Sequence, residues 1–288
     1  MDLVAVTPGG HVEDSSTFEA RFGGAMGNVA LAARRAGAPV ALAGGVGDDG
    51  WGRWLLDRLL SDGVETRWFS AVPGMQTPVA FVTIDATGEP AFSVYGAGIE
   101  DGLRSVADNL DEAVEQSSAL AIGSNTLVGT LERALTLRAV QYAKELGRPV
   151  CLDPNLRPDR WPDLALAVEM CLEIVADAFL VRTNHHEARE LTGEQDPGAA
   201  AEALCSAGAR LAVVTRGSEI VAMRGGATAD EPGQRVDVVS TLGAGDAFFG
   251  TLIAGLHAGG WTPDAGTAAL GPAIEAGAQA CTRLGAQP

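Results

Sequence analysis

This chain of 288 residues predicts an α/β fold, doubly wound around a mostly parallel sheet with helices on both faces, plus a small β-sheet lid. Three observations carry that expectation. From about residue 27 onward, apolar strand-like runs alternate with helical patterns, the mark of right-handed βαβ units. Polar clusters follow the ends of those runs, where open α/β sheets hold their ligands. Hydrophobic residues make up 47% of the chain, enough to bury a large core as one α/β domain or one domain with a smaller appendage, and residues 1–288 are taken as a single domain with the lid segments inserted.

Taken in order, the helical run Val29 to Ala36 comes first, followed by the strand-like Val40-Ala41-Leu42-Ala43, a glycine-rich turn and a helix from Trp51 to Ser61. Leu120-Ala121-Ile122 then precedes a helix from about Leu131 to Leu146. Next come Val150-Cys151-Leu152, a helix near Leu164 to Val175, Phe179-Leu180-Val181, a helix near Ala199 to Ala207, and Leu211-Ala212-Val213-Val214. Two segments, about 3–22 and 76–98, lack helical periodicity and are expected to form the lid. Val79 to Ile84 and Glu89 to Tyr95 flank Asp85-Ala86-Thr87-Gly88 as a hairpin. So small a sheet needs a partner, whether the core, a ligand or a second copy, and a homodimer through the lid fits this. Residues 225–233 read as an exposed loop.

The net charge of −17 excludes a nucleic-acid or anionic-membrane surface, because no basic block is present to release counterions. The expected partner is a small molecule. If it is a nucleotide, the field of the protein opposes its approach, so local donors and a divalent cation, Mg²⁺, must supply the attraction. Cys151, Cys171, Cys205 and Cys281 are far apart and show neither zinc-ligand nor disulfide spacing, so buried thiols are expected. No basic stretch precedes an apolar core at the start, and no apolar run reaches the roughly 18 residues of a membrane helix. A cytoplasmic location is expected.

The most informative motif is Ser240-Thr241-Leu242-Gly243-Ala244-Gly245-Asp246, set between the strand-like Val236-Asp237-Val238-Val239 and the helical run Ala247 to Leu256. Glycines at 243 and 245 let backbone N–H groups converge at a helix N-terminus, where the macrodipole favours a phosphate. Asp246 beside a bound phosphate is well placed only if it takes a proton, for example from an attacking hydroxyl; the same residue reads equally as a helix cap. Gly23, Gly24 and Asn28 suit hydroxyl recognition, with Asn28 as a helix cap the alternative. Gly45-x-Gly47-x-x-Gly50 has dinucleotide spacing, but Asp48 and Asp49 within it would repel a pyrophosphate.

Asp153-Pro154-Asn155-Leu156-Arg157-Pro158 is a stiff loop presenting Arg157, either to a ligand oxyanion or to Asp153 or Asp159. Asn184 and Glu187 sit one helical turn apart and can orient the waters of a hydrated Mg²⁺; a capping box explains their spacing as well. His185 and His186 are read as helix-surface residues pointing different ways. Thr215, Gly217 and Ser218 close another strand, where they can hold a phosphate tail or simply turn the chain.

Taken together, Gly23-Gly24…Asn28, Gly45-x-Gly47-x-Asp49-x-x-Gly52, Asp153-Pro154-Asn155-x-Arg157, Asn184-x-x-Glu187, Thr215-x-Gly217 and Gly243-Ala244-Gly245-Asp246 resemble the ribokinase-like (PfkB) carbohydrate kinases over nearly the whole chain. The resemblance implies transfer of the γ-phosphoryl of ATP to a sugar or nucleoside hydroxyl. It makes Asp246 the base and gives the amides of Ala244, Gly245 and Asp246 to the transferring phosphoryl. It further assigns Asn184 and Glu187 to Mg²⁺ and its waters, and Gly24 and Asn28 to sugar hydroxyls. Asp2 matches the family's sugar-binding Asp, although relatives begin with a full strand before it. Ser240 stands where many members carry an Asp that helps hold a monovalent cation, so dependence on K⁺ is not expected. The 153–158 loop resembles those of fructokinases and 2-keto-3-deoxygluconate kinases. Gly96 after Tyr95, with no arginine before Arg104, favours a neutral sugar such as fructose. A nucleoside acceptor stacked on Phe18, Phe22 or Phe92 stays open, as does a catalytically silent sugar- or nucleotide-binding protein.

Overall fold

The computed structural model describes residues 1–288 apart from Pro8, Gly10, Glu13, Asp14, Ala97 and Pro288. The first five of these fall within the two segments expected to form the lid, and that part of the expectation lies outside the described residues. The chain divides into two units, one of Met1–Val106, Arg235–Ala254 and Pro272–Pro288, the other of Ala107–Gln234 and Gly255–Gly271.

Within the first unit the chain runs β1 (Asp2–Ala5), β2 (Phe18–Arg21), α1 (Ala25–Arg35), β3 (Gly44–Gly47), α2 (Gly50–Ser61), β4 (Phe69–Val72), β5 (Val79–Ile84), β6 (Pro90–Tyr95) and α3 (Gly98–Val106). The two segments without helical period combine into one four-stranded sheet, ordered β2-β1-β5-β6. β1 pairs antiparallel with β2 and parallel with β5, and β5 and β6 form the expected hairpin. Its turn is held by the Asp85 carboxylate, which accepts from the N–H groups of Thr87 and Glu89. One face buries Val4, Val82 and Ile84 with Leu242 and Ala286. A second cluster joins Leu31 of α1, Leu55 and Leu59 of α2, Val46, Phe22 and Met1; each fully buried leucine contributes about 1.5–3 kcal/mol.

Two expectations are corrected here. α1 begins at Ala25, four residues earlier than the apolar pattern indicates, because Gly24 at φ +107 ends the preceding loop in a conformation that costs glycine little. Asn28 is therefore inside the helix and is not its cap. The strand expected at residues 40–43 lies instead at Gly44–Gly47, with Ala41 making only an isolated bridge to Glu65. The parallel partner β4 approaches so closely that a Cβ on Gly45 would come 2.7 Å from Cγ2 of Val72. These glycines serve strand packing, which removes the dinucleotide reading of this stretch.

The second unit runs α4 (Leu110–Glu115), β7 (Leu120–Gly123), α5 (Thr130–Glu145), β8 (Val150–Asp153), α6 (Leu164–Val175), β9 (Leu180–Asn184), α7 (His185–Thr192), α8 (Pro197–Ser206), β10 (Leu211–Arg216), β11 (Ile220–Gly225) and β12 (Ala229–Glu231). Its six-stranded sheet has the order β12-β11-β10-β9-β8-β7, with β7 through β10 parallel and the last two strands antiparallel. β8 is buried throughout and β9 and β10 nearly so, as strands covered on both faces require. The stretch read as a loop at 225–233 contains the short edge strand β12. α9 (Ala244–Ala258) and α10 (Pro263–Cys281) complete the chain.

The four cysteines are free thiols, Cys151 and Cys171 buried; burial pushes the Cys171 thiol up to about 12. No helix among the described residues is long and apolar enough to cross a membrane.

Candidate active site

Val236 to Val239, read as a strand, form none. Their β-branched residues suit a strand, but no strand among the described residues pairs with them, and Val238 and Val239 are about half exposed. The segment is held in other ways. Val239 and Ser240 donate their N–H groups to the carbonyl of Cys281, and Thr241 donates to the carbonyl of Gly88 in the β5–β6 turn. Thr241 Oγ1 also donates to Glu89 Oε2 at 3.1 Å. The glycine turn is thereby tied to the tip of the hairpin.

Within that turn, Gly243 has φ +77, and a Cβ there would lie 2.4 Å from the Ala286 Cβ. Backbone conformation and lack of space both demand glycine. Ala244 spends its N–H on the Thr241 carbonyl at 3.1 Å, so the expected role of that amide toward a phosphoryl group is not open to it in this arrangement. Gly245 follows in the first turn of α9, where N–H groups lack a carbonyl four residues back. Ser240 is fully buried, and its hydroxyl accepts the Leu242 N–H at 3.1 Å.

Asp246 lies in the same first turn with only 9% of its surface exposed, and its Oδ2 accepts from Nδ2 of Asn28 at 2.8 Å. Gly250 makes this meeting of α9 with α1 possible. A side chain there would strike the Val29 carbonyl at 2.4 Å. Gly23 abuts the Asp2 carboxylate just as closely, and the Asn28 N–H donates to Gly24 O at 2.9 Å in the first turn of α1. Asp2, Gly23, Gly24, Asn28 and Asp246 are thus brought together by the first unit, together with a residue that pattern reading missed. Nε2 of Gln287 donates to the backbone O and to Oδ1 of Asn28, at 3.3 and 3.2 Å.

The second unit gathers the other expected residues. Asn184 is the N-cap of α7, accepting from His186 and Glu187 N–H groups, while Glu187 Oε2 accepts the Asn184 N–H at 3.0 Å, a complete capping box. Glu187 Oε1 also accepts the Leu156 N–H at 2.9 Å, which anchors the 153–158 loop. Burial and then the charge of Asp153 push the Glu187 carboxyl up to about 7, against the pull of Arg182.

Arg182 is the second missed residue. Nearly buried, it donates to Asp153 Oδ2 at 3.1 Å and to Thr215 Oγ1 at 2.9 Å. A lone cation inside the apolar run of β9 was the available signal. Asp153 therefore pairs with Arg182, and Nη1 of Arg157 donates to its neighbour's carbonyl, Leu156 O, at 3.0 Å. Thr215, Gly217 and Ser218 lie at the β10–β11 hairpin, whose turn sits at Gly217, φ +48. Arg216, Gly217, Ser218 and Glu219 line an open depression with His185. The two histidine rings do not diverge as expected. Their centroids lie 3.8 Å apart with the rings tilted by 38° to each other. Burial first, then His186 and Arg216, lower the His185 imidazole.

A family profile described as pfkB family carbohydrate kinase matches residues 1–288. Fructokinase-1 of Oryza sativa subsp. japonica is 33% identical over 262 residues, covering 88% of this chain and 79% of that protein. Fructokinase-1 of Zea mays is 34% identical with the same coverage. Among solved structures, the fructokinase from Vibrio cholerae O395 in its fructose-, ADP- and calcium-bound form superposes with a TM-score of 0.81 at 27% identity, covering 99% of this chain and 91% of that one.

Proposed function

We propose, from the premise that this chain belongs to the pfkB family of carbohydrate kinases and is a sugar kinase that uses ATP, that its acceptor is fructose or a neutral ketose like it, and that Asp246 is the base. The observation that carries the reading is the buried bond between Asn28 and Asp246. It places a carboxylate, oriented by an amide, in the first turn of α9 directly after the glycine turn, and α1, which carries Asn28, follows the loop in which Gly23 lies against the Asp2 carboxylate.

In the proposed reaction the acceptor hydroxyl gives its proton to Asp246 as its oxygen bonds to the γ-phosphorus, and the bond to the bridging oxygen breaks to release ADP. Gly245, and not Ala244, offers its N–H at the N-terminus of α9 to the transferring phosphoryl. Thr215, Gly217 and Ser218 are the candidates for the phosphate tail. Asn184 and Glu187 fit a hydrated cation and do not fit direct ligation. Each Glu187 oxygen already accepts one N–H and retains a lone pair, and among the described residues no group of three acidic, His or Cys side chains is placed to hold a metal. When bound, Mg²⁺ supplies charge neutralisation for the phosphates. Ser240 lacks the carboxylate a monovalent cation would want, and its hydroxyl serves the turn, which supports turnover independent of K⁺.

Strand register sets Arg21, Asp2, Ala80 and Val94 in one row across the four-stranded sheet. The cation of that row, Arg21, pairs with Glu19, so the row supports a neutral acceptor. Phe22 is buried in a core cluster and Phe18 packs edge-on to Phe81, so neither favours a stacked base.

The test is ADP release from ATP across fructose, other neutral sugars, acid sugars and nucleosides, with and without K⁺, alongside the Asp246→Asn variant. Turnover with fructose that falls by about 10³-fold or more in the variant, with ATP affinity kept, is the expected result. Preference for an acid sugar or a nucleoside would overturn the acceptor assignment, and wild-type turnover in the variant the base.

A further inference from the structure

A chain of directed hydrogen bonds runs from Arg35 to Asp246. The Arg35 guanidinium is held on Asp62 through Nη2 at 3.0 Å and donates through Nη1 to Oε1 of Gln287. Arginine is only a donor, so the Gln287 amide must turn its oxygen toward Arg35 and its NH₂ away. That NH₂ meets Oδ1 of Asn28 at 3.2 Å, which in turn leaves Nδ2 of Asn28 to face Asp246 Oδ2 at 2.8 Å. Asn28 and Gln287 are 3% and 6% exposed, so water has little access to supply the same order. Without this sequence, the carboxylate alone would select Nδ2 of Asn28, and a flipped amide would set its oxygen against the Asp246 lone pairs.

We infer that Gln287 is a positioning residue for phosphoryl transfer: it fixes which end of the Asn28 amide faces Asp246. Gln287 touches neither substrate nor reacting atoms in this role; it acts through Asn28. The inference rests on the reading of Asp246 as the base.

Two variants test it. Gln287→Glu keeps the length and the acceptor for Arg35 but, when ionised, has no proton for Asn28 Oδ1. Gln287→Leu keeps the bulk and removes both functions. Both are expected to lower kcat about tenfold, with KM for ATP within about twofold of wild type. A merely structural role would be kept by the glutamate variant, whose kcat would then match wild type, and that result overturns the inference. Should Gln287→Leu fail to fold, Gln287→Glu decides alone. Asp246→Asn, measured beside them, separates the two failures. Wild-type turnover there removes the base and this inference with it, whereas an inactive Asp246→Asn with a normal Gln287→Glu removes the relay alone.

Discussion

Gly23 lies so close against Asp2 that a Cβ on it would stand 2.0 Å from the carboxylate oxygen Oδ1. A methyl group cannot enter that space, so Gly23→Ala must push the Asp2 side chain aside or shift the loop before α1. Overpacking of this kind costs about 1–3 kcal/mol. Because Asp2 is assigned to the acceptor and not to the nucleotide, the expected effect is a rise of about tenfold or more in KM for the sugar, with KM for ATP unchanged. Initial-rate kinetics with each substrate varied in turn make the check. Equal effects on both constants would mean that Gly23 matters to the fold and not to the acceptor.

Asp49 shows how a motif that resembles a ligand site can be an anchor. Its carboxylate caps α2 through the Gly52 N–H at 2.8 Å and accepts both the N–H and the hydroxyl of Thr77, at 2.8 and 2.9 Å. Burial opposes ionisation, but the donors of Thr77 and Gly52 outweigh it and hold the carboxyl below the usual carboxylate value. A depressed folded-state value means that the stabilisation is present above about pH 4 and is lost as pH falls through the folded value. Asp49→Ala should lower unfolding free energy by about 1–2 kcal/mol at neutral pH, as loss of a cap does. The deficit against wild type should shrink below pH 4. A deficit that is the same at pH 3 and pH 7, in urea titrations, would assign the loss to packing.

The parallel strands of the second unit were legible because Leu120, Val150, Phe179 and Leu211 each open a short apolar run bounded by helical periods. That pattern depends only on local sequence. β3 was not legible, since Gly44–Gly47 is extended only through its partner Phe69–Val72, and nothing in four residues rich in glycine announces a strand. The reverse error at Val236–Val239 has the same root. Valines have strand propensity, but a strand needs a neighbour, and the segment's N–H groups go to Cys281 and Gly88. In the site, Asp246, Asn28 and Gly243 could be named from motif spacing. Gln287 could not, because its partner Asn28 is 259 residues away and a glutamine near a chain end carries no pattern. Arg182 was visible only as a charge out of place in an apolar strand.

Glu187 offers a test of the second unit through stability alone. The carboxyl is buried, and burial together with the Asp153 charge raises it to about 7 from an ordinary value near 4.5. Between those values the folded chain binds the proton and the unfolded chain does not. Unfolding then releases a proton, so this group's contribution is full below about pH 4.5 and is lost as pH rises to about 7. In buffer free of divalent cations, the wild-type advantage over Glu187→Gln should decline across that window and level off above it. The variant also sets an amide NH₂ against one of the N–H donors of Leu156 and Asn184, which removes a hydrogen bond at every pH and costs about 1–3 kcal/mol. That offset is constant, so the slope isolates the proton. Urea midpoints at pH 5, 6, 7 and 8 measure it. An advantage that grows with pH would show that the carboxylate is stabilised in its ionised form, with Arg182 and the two N–H donors outweighing burial.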